Sequence, residues 1–366
     1  MERAKVVFGH LKSGQEEYHR LQKRLTFEKH FVDSDDDVVI VHALRTPLCK
    51  ASRGGLKDTY PGDMLVTLFS EILKQTGIPA TMLQDICIGN TQQVGAGEQV
   101  SRISQIYSNI PYTVPIRAVN RLCSSGLQAC ADIAGSIKAG YIDIGMAGGL
   151  TAENVASRFN ITRQQQDQMS LESHAKYNYT DFIRAARAQR NGWFDAEIVP
   201  VKTKVKAKDG QEREVLVSNS SQLTDGAAMV ILARRSFAAK NNLPIFGIFR
   251  AYSVVGVDPT VMGVGPAYAI PDVLRKAVDD IDIFELNEAF ASQAYYCVQK
   301  VGIPMEKVNP KGGAVALGHP LGCTGARQLA TLLHEMKRRG KPSYGVVSMC
   351  IGTGMGAAAI IEYPGY

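Results

Sequence analysis

The sequence predicts an α/β fold. Short runs of branched apolar residues alternate with amphipathic or small-residue helical stretches, and 34 glycines punctuate them along 366 residues. Such alternation is the pattern of strand, helix, strand units, and it points to a mainly parallel sheet covered on both faces. The length admits two domains, or one large domain with an excursion, and an ample core.

Residues 1–36 precede this pattern. They are charged, poor in strand signal and close on Asp33-Ser34-Asp35-Asp36-Asp37, and they are expected to lie outside the fold. Within them, Arg3-Ala4-Lys5-Val6-Val7-Phe8-Gly9-His10-Leu11 has the form of an amino-terminal type 2 peroxisomal targeting signal. On a helix, Arg3 and His10 share a face beside Leu11, where an import receptor can read them. A frayed charged tail is the plainer reading of the same residues.

The α/β pattern opens with a buried strand at 38–41, a turn at 45–47, an amphipathic helix at 64–76 and a strand at 85–89 before a glycine-rich loop. Residues 115–119 lead into Arg121-Leu122-Cys123-Ser124-Ser125-Gly126-Leu127-Gln128, a small-residue helix from 125 to about 139 and a strand at 142–147. From 150 to 219 the texture changes. The stretch 157–188 is polar and helical, and 197–217 alternates about Asp209-Gly210 as a hairpin. Lys202, Lys204, Lys206 and Lys208 fall on one face there, suited either to phosphates or, more simply, to water.

After Asp225-Gly226 the earlier pattern resumes with strands at 227–233 and 246–255, a short helix at 273–278 and a strand at 281–286. Asn287-Glu288-Ala289-Phe290 opens a helix running to 300, and a glycine-rich stretch at 312–322 contains Gly318-His319-Pro320. A helix at 325–339 ends in basic residues and Gly340, which suits the negative end of its dipole. A strand at 344–348 follows, then Cys350-Ile351-Gly352-Thr353-Gly354-Met355-Gly356 and a last strand at 357–362. Strand, glycine-bearing turn with a reactive residue, small-residue helix and strand recur in one order around Cys123 and around His319. That order implies a duplicated architecture.

Composition removes several function classes. The net charge of +6, from 41 basic and 35 acidic residues, is mild, and aromatics do not interleave with the cations, so nucleic acid is not the expected ligand. Seven cysteines without CxxC spacing fit neither a disulfide framework nor a zinc site, so no metal is expected and the thiols imply a reducing compartment. No run approaches the roughly 18 apolar residues of a membrane helix.

Chemistry is expected where open α/β sheets place it, at the carboxyl ends of strands. A thiol at the first turn of a helix meets unpaired N–H groups and the positive end of the macrodipole, so Cys123 is expected to have a lowered pKa and to act as a nucleophile. The competing reading is a buried cysteine packing as a small hydrophobe. A cysteine beside a histidine serves a protease, an acyltransferase or a condensing enzyme. Cys350, in a glycine loop, separates them, because a second thiol with a pKa near 8 can exchange protons with carbon or sulfur and a protease has no use for it.

Val119 to Gly126, Asn287-Glu288-Ala289-Phe290, Gly312-Gly313-Ala314 with Gly318-His319-Pro320, and Cys350 to Gly356 resemble, in order and spacing, the signature segments of the thiolases. The resemblance runs from Val38 to the end of the chain. Arg45-Thr46-Pro47-Leu48-Cys49-Lys50 and the stretch from Leu333 to Gly340 resemble the peroxisomal, fatty-acid-degrading branch. What the resemblance implies is a thiolase fold, two similar α/β halves in a layered αβαβα sandwich, and thiolytic cleavage of 3-ketoacyl-CoA in fatty acid β-oxidation in the peroxisomal matrix. It further implies Cys123 as acyl acceptor, and His319 as its base and, with an Asn287-held water, as an oxyanion hole. Cys350 would be the second acid/base, and the N–H groups of Cys123 and Gly352 a second oxyanion hole. Ser221 matches a family serine that touches the pantetheine arm. Coenzyme A enters as co-substrate with no permanently bound cofactor, and a homodimer is expected.

The implied division is 1–36 as extension, 37–150 with 219–241 as one half, 151–218 as a loop domain and 242–366 as the other half. The chain departs from the family pattern after Gly148-Gly149-Leu150 and between Val217 and Asn219, where thiolases usually carry a few tens of further residues over the CoA site. A short-chain acetoacetyl-CoA thiolase and a non-catalytic thiolase-like lipid-binding or scaffold protein are the alternatives.

Overall fold

The computed structural model describes residues 31–51, 54–151, 179–206, 212–217, 224–274 and 277–365. The Arg3 to Leu11 segment, Asp209-Gly210 and Ser221 lie outside the described residues. Twelve strands are described: β1 (Val38–Arg45), β2 (Cys49–Lys50), β3 (Ile86–Asn90), β4 (Ile116–Val119), β5 (Ile144–Thr151), β6 (Val201–Lys206), β7 (Glu212–Val217), β8 (Thr224–Arg234), β9 (Gly247–Gly256), β10 (Ile283–Leu286), β11 (Ser343–Ile351) and β12 (Met355–Tyr363). β6 and β7 pair by themselves, Val201 opposite Val217, and Lys202 and Lys204 on β6 are exposed, as a solvated lysine face requires.

The remaining strands make two arrays of one design. One runs β4-β3-β5-β8-β1 and the other β10-β11-β12-β9, and they touch where Val39 and Ile40 pair with Ile248 and Gly247. In each array a parallel group is followed by two antiparallel steps: β4, β3 and β5 then β8 then β1, against β10 and β11 then β12 then β9. A parallel bridge from Phe284 to Val308 supplies the counterpart of β4. The sheet is therefore mixed, not mainly parallel. Strands buried on both faces read as continuous apolar runs in either orientation, so the sequence pattern could not show the reversal.

Side-chain alternation fixes the layers. On β8, Ala228, Val230 and Leu232 face a core that Ala227, Met229, Ile231 and Ala233 turn away from. On β12, Ala357, Ala359 and Ile361 face that same core, and Ala358 and Ile360 face a third one. Between the arrays lie the helices Ser125–Lys138 and Thr324–Arg339, whose apolar residues belong to the shared core. Helix Pro61–Thr76 covers one outer face, and helices Gly265–Val273 and Ala291–Val301 the other. The result is αβαβα.

The two central helices approach at glycines. A Cβ on Gly126 would stand 2.8 Å from the Gly322 carbonyl oxygen, and one on Gly325 would stand 2.5 Å from Leu127 N. Larger residues at either place would separate the two helix starts, and with them the turns that carry Cys123 and His319.

Three local expectations are corrected. The helix expected at 273–278 is instead Gly265–Val273, followed by a 3-10 turn at Val278–Asp280. Pro266 sits in its first turn, where a missing N–H costs nothing, and Pro271 lies inside it, where a proline ordinarily disfavours a helix. Helix Glu98–Tyr107 had no counterpart in the sequence reading, because its residues are polar on most faces. The end of the excluded segment 1–36 is part of the packed structure: Asp33 pairs with Arg235 and Arg250, Asp36 with Arg234, and Phe31 lies 6.1 Å from the Tyr344 ring.

Candidate active site

Cys123 occupies a 3-10 turn, Leu122–Ser124, between β4 and the Ser125–Lys138 helix. Ser125 Oγ accepts from the Arg121 N–H at 2.9 Å and donates to the Leu122 carbonyl at 2.7 Å, while Asn120 Oδ1 accepts from the Leu122 N–H at 2.9 Å. These bonds hold Leu122 at φ +49, a region leucine rarely adopts. The sharp turn presents the next side chain, and Cys123 is half-buried rather than sealed in the core.

Its pKa is corrected in direction. Burial pushes the Cys123 thiol up, against the opposing pull of the Gly352 N–H and its own N–H. Of the N–H groups anticipated at the helix start, only that of Cys123 itself pulls on the thiol, those of Ser124 and Ser125 being spent on the Arg121 and Leu122 carbonyls, and desolvation outweighs it. Gly352 directly follows β11, and a Cβ on it would stand 3.2 Å from Leu122 Cδ1 in the turn that carries Cys123.

Cys350, near the end of β11, is fully buried. Burial, then the neighbouring Cys123 and Cys297 thiols, push it up to about 12, above the ordinary thiol value of 9.0 and well above the value near 8 expected for it from the sequence. It therefore remains a proton donor at neutral pH. Cys297 escaped the sequence reading; it sits on the inner face of helix Ala291–Val301, one turn after Gln293, and its Sγ donates to the Gly263 carbonyl at 3.5 Å.

His319 follows Gly318, whose φ of +104 turns the chain after the short helix Ala314–Leu317. Its Nε2 lies 3.4 Å from Asn287 Nδ2 and its Nδ1 lies 2.6 Å from Thr324 Oγ1. Asn287 is fully buried, and among the described residues its Oδ1 has no hydrogen-bond partner. Burial and then the Arg327 guanidinium push His319 down to about 4, so the ring is neutral across the physiological range. The Leu122–Ser124 turn packs against both the Leu321–Cys323 turn and β11, which brings the Cys123, His319 and Cys350 segments together.

A buried ionic network backs this site. Glu197 bonds Arg45 at 2.7 Å, Lys311 at 2.6 Å and Thr331 Oγ1 at 3.0 Å, and Arg327 bonds Glu285 at 3.2 Å, every one of these side chains being buried. Thr324, Arg327 and Glu285 were not singled out from the sequence. The available signal was the position of Thr324 at a helix start five residues after His319, with Arg327 one turn on. Among the described residues no cluster of His, Cys, Asp and Glu could hold a metal ion, and no helix is long and apolar enough to cross a membrane.

The comparisons with known proteins bear on this arrangement. The model of the thiolase N-terminal domain matches residues 38–150 and 148–218, and that of the thiolase C-terminal domain matches residues 243–363. The chain belongs to the thiolase family. The peroxisomal 3-ketoacyl-CoA thiolase B of Rattus norvegicus is 49% identical to this thiolase over 431 residues, covering 100% of each chain. A solved structure of the peroxisomal 3-ketoacyl-CoA thiolase of Saccharomyces cerevisiae, described as five-layered with two core domains of identical topology, superposes with a TM-score of 0.79. It is 43% identical and covers 91% of this chain and 100% of its own. A second structure of the yeast peroxisomal thiolase, described as dimeric, gives 0.76 at 40% identity over 91% and 99%.

This thiolase is shorter inside than the relative it aligns with. The alignment with the rat protein spans 431 positions against 366 residues here. The N-terminal family match also breaks at 148–150, where the sequence departs from the family pattern. β5 crosses that point without interruption, and Thr151 pairs with Gly226 on β8.

Proposed function

We propose that the chain is a peroxisomal 3-ketoacyl-CoA thiolase, an acetyl-CoA C-acyltransferase that cleaves 3-ketoacyl-CoA with coenzyme A in fatty acid β-oxidation. Two things support this reading: similarity over the full chain to peroxisomal 3-ketoacyl-CoA thiolases, and the meeting of a half-buried thiol, Cys123, with a protonated one, Cys350, the Cys123 turn being packed against the one that follows a neutral histidine, His319. The second carries the chemistry.

In the proposed cycle His319 takes the Cys123 proton, and the sulfur attacks the 3-keto carbon. Oxygen charge is met by the N–H donors of His319 and an Asn287-held water or by the N–H groups of Cys123 and Gly352, and removing one such donor typically costs about 100-fold. The bond between C2 and C3 breaks, and Cys350 gives its proton to the departing acetyl-CoA carbanion. The Cys350 thiolate then deprotonates incoming CoA, whose sulfur attacks the acyl-Cys123 thioester; a shortened acyl-CoA leaves, and the expelled Cys123 thiolate takes back its proton from His319. The orphaned Asn287 Oδ1 suits a water-holding role. Ser221 is proposed to touch the pantetheine arm, with acyl-CoA and CoA as the small-molecule partners.

A homodimer is proposed by analogy with the yeast enzyme. The terminal strand β4 is half-buried at the end of its array, and Ile103, Ile106 and Tyr107 on the adjoining helix are exposed. The peroxisomal matrix, reached through a receptor for the Arg3 to Leu11 segment, is the proposed location. The domain division given above is proposed with it, save that the end of the extension, from Phe31, packs against both halves.

Thiolysis of acetoacetyl-CoA and of a long-chain 3-ketoacyl-CoA, followed as loss of enolate absorbance, tests the activity. Turnover of both is expected; silence on both refutes it. Cys123→Ala should abolish acyl labelling, whereas Cys350→Ala should still acylate from a simple thioester and lose cleavage.

A further inference from the structure

The two nitrogens of His319 have different partners, and the one on the far side from Asn287 is decisive. Thr324, the first residue of the Thr324–Arg339 helix, is fully buried and places Oγ1 2.6 Å from Nδ1. Its backbone N–H is committed to the Pro320 carbonyl at 2.9 Å, which fixes the start of the helix beside the ring. A hydroxyl accepts as well as donates, whereas a carboxylate in that place would only accept and would favour an imidazolium.

The charged surroundings agree with an uncharged ring. From the same helix, Arg327 acts against a cation. From β10, Glu285 is bonded to Arg327, and Glu288 just beyond spends its carboxylate on the Val315 N–H at 3.0 Å and on Asn309. From the Leu122–Ser124 turn and β11 come the thiols of Cys123 and Cys350, both held protonated by burial.

We propose that Thr324 is the positioning residue for His319, its hydroxyl locking the ring through Nδ1 and supporting either neutral tautomer. With Thr324 accepting from Nδ1–H, Nε2 is bare and can take a proton. With Thr324 donating to Nδ1, Nε2 carries the proton and can donate to a substrate oxygen. Both states are roles assigned to His319 in the proposed function, on which the catalytic side of this inference rests.

The test uses the full chain with Thr324→Val, which keeps shape and removes the hydroxyl, and Thr324→Ser, which restores it. Thr324→Val is expected to lower kcat about tenfold, the size of one hydrogen bond to a group that gains charge, with KM nearly unchanged. Thr324→Ser should recover to within about threefold. In a His319→Ala background, Thr324→Val should cost nothing further, because the hydroxyl acts through the ring. An equal cost in that background, or full activity of Thr324→Val, overturns the proposal. Nitrogen-15 NMR of labelled histidine reads the ring without turnover: the Nδ1 resonance should move in Thr324→Val and hold in Thr324→Ser. An unmoved resonance overturns the proposal even if the chain proves to be no thiolase.

Discussion

Gly126 lies so close to Gly322 that a Cβ there would meet the Gly322 carbonyl oxygen at 2.8 Å and the Ala326 nitrogen at 3.0 Å. Both are backbone atoms at the start of the opposite helix, so no side-chain rotation relieves the contact. Gly126→Ala is therefore expected to lose about 1–3 kcal/mol of stability, the range for overpacking. It should also lower acylation of Cys123, since the helix starts carry the two reactive turns. Urea denaturation and acyl labelling check it. Gly135→Ala, where a Cβ would meet no atom within 4 Å among the described residues beyond its own helix backbone, serves as the control and should be stabilising or neutral.

Lys311 and Glu197, both at 0% exposure, are bound at 2.6 Å. Removing one partner leaves a buried charge, so Lys311→Met is expected to cost about 3–5 kcal/mol. Burial would raise Glu197, but Lys311 and then Arg45 hold it down at about 2. A depressed folded pKa gives stability that is present above the unfolded carboxylate value and lost as pH falls toward 2. Denaturation midpoints should thus decline below about pH 4.5 in the native protein, and that decline should be shallower in Glu197→Gln. Identical slopes would rule the pair out as a source of acid sensitivity.

The elements legible in the sequence were those with strong apolar period, such as β1, β8 and the Thr324–Arg339 helix, together with the turns that bear Cys123, His319 and Cys350. The duplicated order of elements around Cys123 and His319 was legible as well. Strand direction was not, because Val230 and Leu232 would be buried in either orientation. Thr324 and Arg327 were hidden for a different reason: a buried threonine or arginine takes its meaning from a partner far along the chain, here Glu285 for Arg327. The acidic run 33–37 read as a solvated tail because the arginines that bind it, at 234, 235 and 250, lie about two hundred residues away.

The two site thiols should react slowly at neutral pH. Burial raises both Cys123 and Cys350 above the ordinary thiol value of 9.0, and only the thiolate is nucleophilic toward an alkylating agent. In the free protein, the iodoacetamide inactivation rate should therefore keep climbing beyond pH 9. A plateau reached below pH 8 would show that the helix start, and not desolvation, governs Cys123.

Arg250 binds Asp33 at 2.5 Å, Asp37 at 2.8 Å and Glu362 at 2.7 Å, and so ties the segment before β1 to β12. The three partners differ in exposure: the Asp33 side chain is 67% exposed, that of Asp37 11% and that of Glu362 18%. Water screens the first, so Asp33→Asn should change stability by less than about 0.5 kcal/mol. Asp37→Asn removes a partner of both Arg235 and Arg250 and should cost about 1–3 kcal/mol, the scale of a hydrogen-bonded charge left unpaired. Burial tends to raise Asp37, but the Ser34 N–H and the two arginines lower it overall, so its contribution is present above the unfolded aspartate value and is lost as pH falls below it. Urea midpoints of the two variants at neutral pH and near pH 3 check this. Their difference should be large at neutral pH and small in acid, and equal costs at neutral pH would show that the clamp depends on charge number alone and not on burial.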